Sequence, residues 1–99
     1  MIDIAEVKRS LNITWDDPDT DAKVSDMMVS AEAMINDYAG TRIDYSRDAI
    51  AMQLLKDCIR YIWNDCIDEF ENRYRSQLIA MRNTYKVMDY VSESKENKI

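Results

Sequence analysis

From Ser46 to about Asn72 the chain contains neither glycine nor proline, and its apolar residues recur with a helical period. At about 100° per residue, Ala51, Leu54, Leu55, Cys58, Ile59, Ile62, Trp63 and Cys66 share one broad sector. Gln53, Lys56, Asp57, Arg60 and Asn64 lie opposite. So wide an apolar face predicts one long helix packed against more than one neighbour. Asp65 and Glu69 interrupt the apolar side near its end. Either the helix outruns its core there or it presents that end to a partner.

The rest of the chain points to the same class. One Gly and one Pro among 99 residues leave little turn chemistry for a sandwich or barrel. At 46% hydrophobic residues a real core is within reach. The expectation is an all-α fold, a small bundle of about four helices around one long central helix, in one domain over 1–91 with a flexible tail over 92–99.

A first helix is expected from Ile4 to Leu11, capped by Asp3, with Glu6 completing a capping box. Asn12 to Thr20 reads as a loop in which Ile13 and Trp15 are anchors and Pro18 blocks any helix. The second helix runs from about Asp21 to Tyr38. Its apolar face is Val24, Met27, Met28, Ala31, Met34, Ile35 and Tyr38, and Gly40 ends it. After the long third helix, Arg73 to Ser76 is a break. A fourth helix follows from about Gln77 to Tyr85, with Leu78, Met81 and Tyr85 on one side. Lys86 to Val91 reads as a short strand or a fraying helix end, and Ser92 to Ile99 as a mobile tail.

No apolar run approaches a membrane span, and no signal peptide is expected. The formal charge of −6 argues against sequence-unspecific DNA binding by phosphate neutralisation. It is unevenly placed: residues 1–49 hold 11 acids and 5 bases, whereas residues 50–99 hold 8 of each. Cys58 and Cys66, eight apart, lie roughly 12 Å from each other along a helix and cannot bridge within it. With no His in the chain, zinc ligation is also poor, so both are read as small buried hydrophobes in a reducing compartment.

Two acidic clusters invite a metal. Asp17, Asp19 and Asp21 alternate as in a calcium loop, but Ala22 and Met28 occupy the positions that need glycine and a carboxylate. These aspartates are expected to cap the second helix instead. Asp65, Asp68 and Glu69 have the i, i+3, i+4 spacing with which all-α nucleotide pyrophosphohydrolases hold magnesium. A facing pair is missing, since Glu32 and Asp37 do not share a helix face. A solvated helix end, with Glu69 and Arg73 paired at i, i+4, is one reading of that cluster. Pairing with arginines of a neighbouring subunit is another. No nucleophile motif or phosphate loop is present, so no enzyme and no cofactor are expected.

The order of short motifs is recognisable. Ile13 and an Asp-rich loop lead into Asp21-Ala-Lys-Val, then Ala31-Glu-Ala-Met-Ile-Asn-Asp-Tyr and Ala49-Ile-Ala-Met-Gln-Leu-Leu. Phe70-Glu71-Asn72-Arg73 closes the long helix, and Leu78-Ile-Ala-Met-Arg-Asn-Thr-Tyr85 follows. Over about residues 1–90 this resembles the head–tail connector (head-completion, adaptor) proteins of long-tailed bacteriophages. Phe70 stands where that family usually has Tyr, and Asn83-Thr84-Tyr85-Lys86 replaces its usual close. The resemblance implies a structural virion protein in the neck between head and tail, made in the bacterial cytoplasm. It implies a homo-oligomeric ring, commonly dodecameric, beneath the portal protein. Such a ring extends the DNA channel and receives the next neck or tail-completion protein, while DNA passes without sequence-specific binding. An acidic lining would repel DNA and let it slide. A ring needs two unlike patches per subunit. Asp65 or Glu69 meeting Arg73, Arg75 or Arg82 of a neighbour is the expected contact. An acidic DNA-mimic inhibitor of a nucleic-acid-binding enzyme is the alternative from another class, and a magnesium-dependent nucleotide hydrolase is a third.

Overall fold

Capping chemistry sets where the helices begin. The computed structural model describes the backbone of residues 3–96 and the side chains of residues 3–87. Helix α1 spans Ile4–Ser10, with Asp3 accepting from the Ala5 amide at 3.2 Å. Glu6 does not complete a capping box; its carboxylate takes Lys56 Nζ at 2.7 Å and ties α1 to a later helix. Helix α2 spans Pro18–Ala39 behind the Asp17 cap. Pro18 therefore starts this helix rather than blocking one, because the first helical residue needs no amide donor and a fixed φ suits it. Helix α3 spans Ala49–Trp63, and the Asp48 carboxylate accepts from the Ala51 amide at 3.0 Å. Between α2 and α3, Asn36 Oδ1 accepts from the Ile43 amide at 3.2 Å and the Tyr45 hydroxyl at 2.9 Å, fastening the connector.

The expected long helix from Ser46 to Asn72 is two helices. Helix α3 stops at Trp63, and α4 spans Ile67–Arg73. Asp65 has φ 57, the left-handed region. The Asp65 amide donates to Ile62 O at 3.1 Å and the Cys66 amide to Tyr61 O at 2.9 Å. These are the two bonds of a Schellman motif, which satisfies the last carbonyls while turning the chain. The same pair of bonds closes α1 around Asn12 (φ 61) and α2 around Gly40 (φ 74). A chain with one glycine uses Asn and Asp at the other two corners, the residues that tolerate this conformation best.

Only Tyr74 separates α4 from α5, which spans Arg75–Glu96. The expected break over residues 73–76 shrinks to this residue. The expected strand or frayed end over 86–91 is helix, as is the backbone of 92–96; residues 97–99 of the expected tail lie outside the described residues. The architecture is all-α with five helices and no strand among the described residues. It is elongated, 54 × 28 × 18 Å.

The core lies where α2, α3 and α5 meet, roofed by α1 and α4. Ile35, Val24, Leu55, Ile59, Cys58 and Phe70 are fully buried, and Leu78 and Met81 bring α5 onto them. Phe70 stacks on Tyr74 at 4.8 Å between centroids, and Tyr61 meets both rings edge-on at 5.6 and 5.7 Å. Such pairs each contribute about 0.5–1.5 kcal/mol beyond burial. Ile62, Trp63 and Cys66, expected in the core, are half-buried because the helix ends beneath them. Lys23 Nζ sits 5.3 Å from the Trp63 ring. Ile13 is buried as expected, but Trp15 is exposed and its indole donates to Thr20 Oγ1 at 3.3 Å.

Candidate functional site

The acidic loop is occupied by its own fold. Asp17 caps α2, accepting from the Asp19 amide at 3.3 Å and the Thr20 hydroxyl at 3.0 Å. Lys8 Nζ lies between Asp16 at 3.2 Å and Asp21 at 2.9 Å. Asp21 Oδ1, shut off from solvent, has that ammonium as its ionic contact rather than an aligned hydrogen bond. Contact with Asp21 and then Asp16 holds the Lys8 ammonium above its ordinary range, against the opposing effect of burial. Among the described residues no three side chains converge as metal ligands.

The second acidic cluster does not form as a helical triplet. Asp65 sits in the corner between helices, whereas Asp68 and Glu69 lie in the first turn of α4, where the helix dipole favours negative charge. Arg73 closes α4 and is exposed. Among the described residues neither Glu69 nor Arg73 makes an ion pair, so the expected i, i+4 pair is not formed. Arg75 Nη2 donates to Asn72 Oδ1 at 3.1 Å across the α4–α5 joint.

Arg75 and Arg82, two of the expected interface residues, come together at one groove of about 220 Å³. Its other lining residues are Tyr38, Glu71, Leu78 and Ile79. Burial raises the Tyr38 phenol above its ordinary value, and the neighbouring Glu71 carboxylate adds to this. Asp65, Glu69 and Arg73 do not line the groove. Sequence reasoning missed Tyr38 and Glu71 here. Their signal was present only as a half-apolar residue at the end of α2 and an acid beside Phe70.

Several other titratable groups serve the fold. Burial pushes the Cys58 thiol up to about 12, which keeps it protonated and unreactive. Cys66 is half-buried and unpaired. The Tyr85 hydroxyl donates to Asp48 Oδ2 at 2.5 Å, joining α5 to the cap of α3. That bond holds the Asp48 carboxyl below its usual range, while burial and then Asp48 push Tyr85 up to about 12. Asp57, buried on the α3 face expected to be polar, accepts from Gln53 at 3.0 Å and Arg60 at 3.1 Å.

Comparison of this chain with protein-family models, curated proteins and solved structures finds no match.

Proposed function

We propose that this chain is a structural head–tail connector of a tailed bacteriophage. In this reading it forms a homo-oligomeric ring beneath the portal that extends the DNA channel and carries the next neck protein. The observation that carries the reading is the ordered motif series, and above all its densest part. Phe70-Glu71-Asn72-Arg73 and the following Leu78–Tyr85 segment form the α4–α5 joint, with Phe70 as its buried pivot. Two of the motifs that resemble connectors are therefore contiguous in the structure, meeting at Tyr74.

Three further features support it. The fold is all-α, as the resemblance implies. Its charge is divided between an acidic first half and a balanced second half, which suits contacts between unlike patches. Exposed aliphatic residues such as Val29 and Ile79 remain on the outer helix surfaces. The channel would pass DNA by repulsion from a net-negative protein, with no base readout.

Native mass spectrometry and negative-stain electron microscopy of the purified protein, alone and mixed with portal rings, test this. The expected result is closed rings, at least with portal. A chain that stays monomeric with portal overturns the proposal. Tight equimolar binding to a basic nucleic-acid enzyme would then favour the DNA mimic, and magnesium-dependent nucleotide hydrolysis the enzyme.

A further inference from the structure

Two outer helix faces match each other in charge, length and shape. On α2, Asp26, Val29, Ala33 and Asp37 are all exposed and fall within a sector of about 80°. On α5, Arg75, Ile79, Arg82 and Lys86 are exposed and share a sector of about 60°. Each stripe spans twelve residues, roughly 16 Å of helix from its first residue to its last. Each carries charge at both ends and a large aliphatic side chain one turn in from its first residue. Val29 is 56% exposed and Ile79 is 53% exposed, so the fold itself leaves both without cover. Among the described residues none of the charged groups in either stripe makes an ion pair.

We infer that the α2 stripe of one copy docks in parallel on the α5 stripe of the next, forming the contact between subunits. In that register Asp26 meets Arg75, Val29 meets Ile79 and Asp37 meets Lys86. Charge complementarity selects a second copy of this chain as the occupant, because the acidic stripe and the basic stripe are on the same molecule. The two patches are unlike, so the contact is heterologous and propagates from copy to copy. It differs from the contact expected at Asp65 and Glu69. Asp65 is held in the corner and Glu69 already complements the α4 N-terminus, whereas among the described residues Asp26 and Asp37 make no ion pair. A contact one helix wide covers well under the roughly 800 Å² per partner of a standard interface. It therefore dissociates readily between two free copies and becomes firm where each copy makes it on both sides.

The inference deepens the ring reading by naming its contact, yet its test needs no portal. Val29→Cys and Ile79→Cys chains, each in a Cys66→Ser background, are mixed at high concentration and mildly oxidised. Cys58 is buried and stays silent. The expected product is the mixed disulfide dimer, well above either homodimer. Asp26→Lys on the first chain lowers its yield about fivefold, the size of a single exposed ion pair, and Arg75→Glu on the second chain restores it. Melting curves of each chain confirm that these exposed changes leave the fold intact. Homodimers in excess, a statistical mixture, no cross-link, or a yield blind to the charge changes would each overturn the contact. Rings without the mixed disulfide would leave the connector reading standing and remove this interface. The mixed disulfide with no closed ring, even with portal, would do the reverse.

Discussion

Changing Asp65 reads the corner between α3 and α4 directly, because a broken and a continuous helix predict opposite signs. In the structure Asp65 has φ 57. A residue with a Cβ is strained in the left-handed region by about 1–2 kcal/mol, and Asp is among those least penalised. Asp65→Ala keeps the Cβ and loses the local tolerance of Asp, so it should destabilise by about 1 kcal/mol, and β-branched Asp65→Val by up to about 2 kcal/mol. Asp65→Gly removes the strain, but the unfolded chain gains freedom worth about 0.5–1 kcal/mol. A charge near the α4 N-terminus is also lost, about 0.3 kcal/mol. The glycine variant should therefore lie within about 0.5 kcal/mol of the parent. In one unbroken helix the order reverses, since Ala would gain about 0.7 kcal/mol over Asp and Gly would be worst. Urea denaturation with far-UV circular dichroism resolves this, and a 1 kcal/mol change moves Tm by about 4–8 °C at this size. A stabilising Asp65→Ala with rising helicity would refute the corner.

Tyr85→Phe should destabilise by about 1 kcal/mol through the lost bond to Asp48. The Asp48 carboxyl is lowered by folding, so its contribution is complete above the ordinary carboxylate range and fades as pH falls through the lowered folded value. Stability measured against pH should accordingly show a shallower acid limb in the Phe variant; an unchanged limb would contradict this linkage. Thiol labelling of the native protein should modify Cys66 and spare Cys58, and intact mass should show neither a disulfide nor zinc. Phe70→Ala should cost about 3–5 kcal/mol by chemical denaturation, since the ring is fully buried between Tyr61 and Tyr74. A loss under 1 kcal/mol would mean that α4 is not seated on the core.

Local chemistry was legible wherever one residue type satisfies one backbone need. Asp3 as a cap and Gly40 as a stop follow from orphan amides and a left-handed residue. The apolar faces of α2 and α3 follow from their period, and with them the all-α class. Asp17 likewise caps α2, with Asp19 and Asp21 in its first turn, but the pairing of Lys8 with Asp16 and Asp21 was not legible, because it needs α1 folded against α2. The corner at Asp65 was hidden because Ile59, Ile62, Cys66 and Phe70 keep helical spacing straight across it. Periodicity reports which side of the chain is apolar, not whether the axis bends. What bends it is tertiary: burying Phe70 against Tyr61 and Tyr74 outweighs about 1 kcal/mol of strain at one aspartate. The same division holds for the candidate interface. The acids and bases of α2 and α5 are properties of the sequence, but only packing shows that Val29 and Ile79 are left outside, because exposure belongs to the assembled core and to no single helix.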